Sequence, residues 1–253
     1  MPDLNLEPVV NSRIPYISSI GLYSVASDET LLVSDIKCSN STNEIDMSVT
    51  TANAVGTTVS LLTTGLNGLD QGAAAASTVY ALYVLSDAYG FNPSGFILST
   101  NVTTPLIPTG YGAWRRVGWA FTDASSDLID VIITGNGSDK HYQYDNAIAV
   151  LTAGTSASKV NIDMGAITPP KNTVVELVVA FTPNAASDTA SIYNGNSSSS
   201  LPAVVTGQVA AVVVNDTIIR NTAFNTSAWV IAYALSTASA AATIRITGFW
   251  DYE

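Results

Sequence analysis

The sequence predicts an all-β fold: an antiparallel β-sandwich, jelly-roll-like, with an extended N-terminal arm and little helix. Three observations carry this expectation. Short apolar or alternating runs, bounded by Ser, Asn, Asp, Gly or Pro, recur along the whole chain at roughly the 8–12-residue spacing of sandwiches and barrels. Those runs are rich in Val, Ile, Thr, Tyr and Phe, the residue types that fit a pleated surface. Helical periodicity is nearly absent.

Residues 1–15 are polar and punctuated by proline, and read as an extended arm. Strands are then expected in "ISSIGLYSV", "TLLVSDIKCS", "EIDMSVTTA" and "TVSLL", with a turn at Asn67-Gly68. In "AAAASTVYALYVLSD" the alanines favour helix. Val79–Leu85 is instead a continuous apolar run with β-branched and aromatic members, the length of a strand buried on both faces. The expected form is a short helical or loop lead-in followed by a strand. "GFILST", "AWRRVGWAFTD" and "LIDVIITGNG" are further strands, with "PLIPTGYG" a proline-glycine turn. The second half continues with "IAVLTAG", "VVELVVAFTP", "TASIYNG", "AVVTGQVAAVVVND", "AWVIAYALST" and "ATIRITGFWDY". Residues 16–253 are expected to form the sandwich, with a division into 16–150 and 151–253 left open.

Composition narrows the function. The chain of 253 residues has 47% hydrophobic and only 11% charged residues, against roughly 25% charged in soluble proteins at large. Ser, Thr and Asn supply the polarity, as in many β-rich proteins of assemblies. The 9 Lys+Arg against 20 Asp+Glu give a net charge of −11. Nucleic acid is not an expected partner, because a duplex-binding surface needs several cations against phosphates. One His and one Cys leave too few ligands for a structural zinc site and no intrachain disulfide. No cofactor and no metal are expected. The N-terminus lacks a basic start followed by a long apolar run, and no segment is apolar over the length of a membrane span. The expectation is synthesis in a cytoplasm with no membrane partner.

Two of the nine cations, Arg115 and Arg116, are adjacent within "AWRRVG". Strand geometry sends successive side chains to opposite faces, so the two do not form one patch. One of them points inward or into a subunit interface. A buried guanidinium is tolerated only when paired and hydrogen-bonded. The expected partners are Asp70, Asp87, Asp123 or loop carbonyls, and a salt bridge to one of the two arginines is anticipated.

A set of motifs surrounds this pair in fixed order. Gly68-Leu69-Asp70-Gln71-Gly72 is followed by an Ala-rich step and the Thr78–Leu85 strand. Leu98–Thr100, Pro105–Tyr111 and Trp114–Gly118 come next. Together, over roughly residues 60–125, they resemble a module of tailed-bacteriophage virion proteins: tail-fibre, collar and head-decoration proteins. "RITGFWDYE" at the end matches more loosely, and residues 128–243 carry none of these motifs. The resemblance implies a β-sandwich, usually trimeric, with no catalytic residues. It implies a virion location, with itself (as a homotrimer) and other virion proteins of tail, portal-proximal region or capsid as partners. The function expected is a structural tail-fibre or collar subunit attached through its N-terminal arm. The alternatives are a capsid head-decoration protein and a carbohydrate-binding module for host adsorption. Asp70, Trp114, Arg115, Arg116 and Trp250 are the expected structural or interface residues.

Other chemistry is weaker. Asp123, Asp127 and Asp130 form the densest acidic group, and paired carboxylates can hydrolyse glycosides when suitably spaced. Exposed hairpin carboxylates are the ordinary reading. His141, Tyr142 and Tyr144, read as lying in a loop between two hairpins, are candidate contacts for host-surface glycans or for a subunit interface. The tryptophans are expected to be core or interface anchors, and Cys38 a small buried strand residue.

Overall fold

A computed structural model describes residues 17–18, 22–50, 58–88, 94–136, 139–170, 173–194, 203–222 and 230–252. The expected N-terminal arm and Trp229 lie outside the described residues. Within them the fold is all-β, as the sequence predicts, and no helix occurs among the described residues.

The first half of the chain supplies β1 (Ile17–Ser18), β2 (Tyr23–Ser27), β3 (Thr30–Val33), β4 (Ile36–Ser39), β5 (Asp46–Val49) and β6 (Thr58–Ser60). It continues through β7 (Gly68–Leu69), β8 (Val79–Ser86), β9 (Gly95–Ser99) and β10 (Ala113–Phe121). The second half supplies β11 (Val131–Asn136), β12 (Asp139–Gly154), β13 (Val160–Asp163), β14 (Thr173–Thr182) and β15 (Thr189–Asn194). β16 (Ala203–Thr206), β17 (Val214–Thr222), β18 (Val230–Leu235) and β19 (Ala241–Tyr252) complete it.

Five sheets result, with strand orders β1-β4-β5, β2-β3-β6, β10-β8-β9-β7, β11-β12-β19-β14-β17 and β13-β18-β15-β16. Among the described residues these strands pair antiparallel except for the short β7 and β9, and Thr64 adds a parallel bridge to Leu69. β8 is buried from Tyr80 to Ser86 on both faces, which explains its unbroken apolar run. The alanine-rich segment before it is a loop, fixed where the Ala75 N–H donates to the Tyr80 hydroxyl at 2.8 Å.

The core is continuous across the chain. Trp119, fully buried, receives a hydrogen bond from the Tyr23 hydroxyl on its carbonyl (2.6 Å) and donates its indole N–H to Asp251 Oδ2 (2.9 Å). Phe121 meets Tyr142, Tyr144 and Phe249 edge-on, and Tyr142 stacks flat on Phe249 at 4.7 Å. Gly118 lies against Leu22 and Tyr142. A Cβ there would collide with Leu22 and the Tyr142 hydroxyl, so close packing favours glycine at this position.

Two segment readings need correction. "DKHYQYDN" is not a loop: it opens β12, a strand of 16 residues. A division at 150/151 would cut through β12, which pairs with β19 on both sides of that point. "AVVTGQVAAVVVND" is not one strand either. It is β16 and β17 separated by a turn over residues 207–213.

Candidate functional site

Asp70, Tyr83, Ser99 and Arg116 converge on one loop, running from Thr100 to Gly112. Asp70 follows β7 and is buried. Its Oδ2 accepts from the Ser99 hydroxyl at 2.5 Å and from the Leu106 N–H at 3.1 Å. Its own N–H donates to the Leu98 carbonyl at 2.8 Å. Ser99 Oγ accepts from the Asn101 N–H (2.9 Å), and Asn101 Oδ1 accepts from the N–H groups of Thr103 and Thr104. The Tyr83 hydroxyl, from β8, donates to the Asn101 carbonyl at 2.9 Å. Arg116 Nη1, from β10, donates to the Val102 carbonyl at 2.8 Å. Leu106 at the loop's crest is exposed. Residues far apart in sequence thus serve one purpose: satisfying the backbone of a segment that has no ladder partners of its own.

The two arginines part company as strand alternation requires. Trp114 stands opposite Leu85, Arg115 opposite Val84 and Arg116 opposite Tyr83. A bulge at Val117 then inserts one residue, so Trp119 returns to the face of Arg116. That phase shift places the Arg116 guanidinium 4.6 Å above the Trp119 ring, a cation–π contact. Trp114 meets Tyr83 edge-on at 5.6 Å on the same face. Arg115 emerges on the other face. Its Nη1 faces the carbonyls of Ser39 (3.2 Å) and Asn40 (2.9 Å), Ser39 Oγ (2.9 Å) and Asn43 Oδ1 (3.0 Å). It therefore clamps the turn between β4 and β5.

The anticipated carboxylate partner is replaced for Arg115 by these four neutral oxygens, because the β4–β5 turn presents its carbonyls to that face. Asp70 is committed to Ser99 and Leu106. Asp123 accepts from the N–H groups of Ser125 and Asp127 at 2.7 and 3.0 Å, closing its own turn.

His141, Tyr142 and Tyr144 are divided by the alternation of β12. Tyr142 and Tyr144 point into the core and are buried, with the Tyr144 hydroxyl donating to the Ile167 carbonyl. Burial pushes the phenol of Tyr144 well above its ordinary range, and nearby Tyr23 adds to the rise. They present nothing to a sugar, which corrects the expected glycan contact at both positions. His141 faces the other way. Its ring stacks on Trp250 at 4.4 Å, and Trp250 stacks in turn with the exposed Tyr252 at 6.5 Å. Glu176 on β14 brackets the pair: Oε2 lies 3.1 Å from His141 Nε2, and Oε1 accepts from the Trp250 indole N–H at 3.3 Å. Sequence reasoning missed Glu176; its apolar setting in "VVELVV" was a signal of a carboxylate with a dedicated partner.

The acidic group is divided. Asp123 and Asp130, joined by Asp145, line a cleft of about 460 Å³ with Leu128, Ile129 and Ile167; Asp127 is not among its lining residues. Among the described residues no group of three or more His, Cys, Asp or Glu side chains is placed to hold a metal ion. Cys38 is buried in β4, as expected.

No protein-family model matches the chain, and no curated protein matches it. Among solved structures, the functional form of the mosquito-larvicidal Cry4Aa toxin from Bacillus thuringiensis is similar at 8% identity and a TM-score of 0.23. The match covers 95% of this chain and 53% of that one, so the chain spans about half the toxin's length.

Proposed function

We propose that this chain is a structural subunit of a bacteriophage virion: a homotrimeric tail-fibre or collar protein, without catalytic activity, attached through its N-terminal arm to the particle. The observation that carries the reading is the convergence on the Thr100–Gly112 loop. The ordered motifs that resemble the virion module are the residues that hold this loop, and their polar groups are engaged with backbone rather than aimed into the cleft. A chain of low charge that leaves Leu62, Leu106 and several valines exposed suits a surface covered by neighbours. Closed cyclic symmetry is the ordinary outcome for such a subunit. Light scattering at micromolar concentration tests the trimer: a mass three times 26.3 kDa is expected, and a monomer overturns it.

Head decoration is the alternative within the same class, and labelling the particle separates the two. Glycan binding for host adsorption is favoured by one feature, the exposed ring of Tyr252 at the end of the His141–Trp250 stack. It requires that Tyr252→Ala abolish binding on a glycan array; an array silent with the unaltered chain removes it.

A further inference from the structure

The cleft beside the end of β10, the start of β11 and the middle of β12 is preformed. Its floor is apolar: Leu128, Ile129, Ile148 and Ile167 line it, with Ala124 and Ala166. Backbone hydrogen bonds hold its walls. The Leu128 N–H donates to the Asp28 carbonyl at 2.6 Å, and the Ile129 N–H to the Phe121 carbonyl at 2.9 Å. The Ile167 N–H donates to the Met164 carbonyl at 3.0 Å, and the Ile167 carbonyl accepts from the buried Tyr144 hydroxyl. A volume of about 460 Å³ falls in the range of small-molecule sites, and fixed walls reduce the ordering cost of binding.

The charges that line this cleft are of one sign. Asp123, Asp130 and Asp145 line it, and no Lys, Arg or His does. Asp130 and Asp145 are also cross-strand neighbours. The Asp145 N–H donates to the Asp130 carbonyl at 3.1 Å, one pair beyond Val131 and Tyr144. Like charges directly opposite each other on a sheet repel. Among the described residues no cation offsets that repulsion. Asp145 meets the neutral Asn146 amide at 3.1 Å, Asp123 meets backbone N–H groups, and the Asp130 carboxylate has no hydrogen-bond or ion-pair partner. The three carboxylates are not placed to hold one metal ion. They suit a cation whose charges are spread along an apolar body. Methylenes cover the leucine and isoleucine floor while ammonium groups reach the carboxylates, the division that a lysine stem and head make at any protein surface. We propose that this cleft is a binding site for an aliphatic polyamine. The site is independent of the virion reading.

Isothermal titration calorimetry of the full chain with spermidine, at low ionic strength, tests the site. One spermidine should bind per chain. The double variant Asp130→Asn, Asp145→Asn should bind it about tenfold more weakly, since each lost exposed ion pair takes a few-fold. The double variant Asp46→Asn, Asp139→Asn removes the same two charges from exposed positions outside the cleft, and should bind within about twofold of the unaltered chain. An equal loss in both double variants overturns the inference, because the polyamine then answers only the net charge of −11. An unaltered chain that binds no spermidine overturns it as well. Ala166→Lys serves where the cleft's asparagine variant fails to fold. It brings an ammonium of its own to the lining and should also weaken binding, and undiminished binding in that variant overturns the inference.

Discussion

The Thr100–Gly112 loop and the Gly207–Val213 turn are both fixed, by opposite means. Side chains from β8 and β10, with Asp70 and Ser99, reach the first and satisfy its backbone. Backbone groups of the 183–188 turn hold the second, with almost no side chain spent. The consequence is visible at the surface. The first loop keeps its polar residues occupied and exposes Leu106 at its crest, while the second turns three valines outward. A loop held by side chains leaves a trail of distinctive residues in the sequence. A loop held by backbone leaves its own side chains uncommitted and leaves hardly any trail.

The comparison breaks most readily at Asp70. Asp70→Ala strands the Ser99 hydroxyl and the Leu106 N–H in a buried setting, and should cost about 2–4 kcal/mol in urea denaturation, since each orphaned polar group costs about 1–3 kcal/mol. Asp70→Asn, which keeps an acceptor, should recover about half of that loss. The arginines come next. Arg115→Ala removes a donor shared among four oxygens of the β4–β5 turn, and Arg116→Ala removes the contact to the Val102 carbonyl and the stack on Trp119 among its interactions. A hydrogen bond to a charged group contributes about 1.5–3 kcal/mol, so both should destabilise. Lysine should rescue Arg115 poorly, because an ammonium lacks the planar reach of the fork.

The second loop responds to pH through its base. The backbone N–H of Ala185, with that of Asn184 and the hydroxyls of Ser236 and Thr237, holds the Asp188 carboxyl below its ordinary value of 3.8. A depressed native value means the stabilisation is complete above that ordinary value and is lost as pH falls through the native one. Asp188→Asn should therefore lower the melting temperature at neutral pH, and the gap from the unaltered chain should close in acid. A gap of the same size at both would show that Asp188 acts without its charge. The smallest effect is expected at Ala211. Its left-handed backbone, with φ of 62°, costs an L-residue about 1–2 kcal/mol, partly offset by the entropy glycine loses on folding, so Ala211→Gly should shift stability by under about 1 kcal/mol and leave assembly intact.

The same contrast explains what could be read in advance. Strand positions were legible wherever alternation or an unbroken apolar run marked them, as in β8, β10, β14 and β19. Arg115 and Arg116 were correctly split because the period of a strand is two. What could not be read was the bulge at Val117, which brings Arg116 over Trp119, since a single inserted residue leaves no mark in composition. The β4–β5 turn was equally hidden as the partner of Arg115, because carbonyl oxygens are present at every residue. His141, Tyr142 and Tyr144 were misplaced in a loop because Asp139, Gln143, Asp145 and Asn146 are weak strand formers. Pairing with β11 and β19 overrides that preference. The valine turn read as strand because its residues favour strands, while its shape depends on the room that Gly207 leaves beside Pro183.

The proposal that the chain is a virion subunit is tested most directly on purified phage particles whose genome carries its coding sequence. Antibodies raised against the folded chain should label every particle at one fixed position, and mass spectrometry of those particles should contain the chain. Unlabelled particles from which the chain is absent would contradict the account.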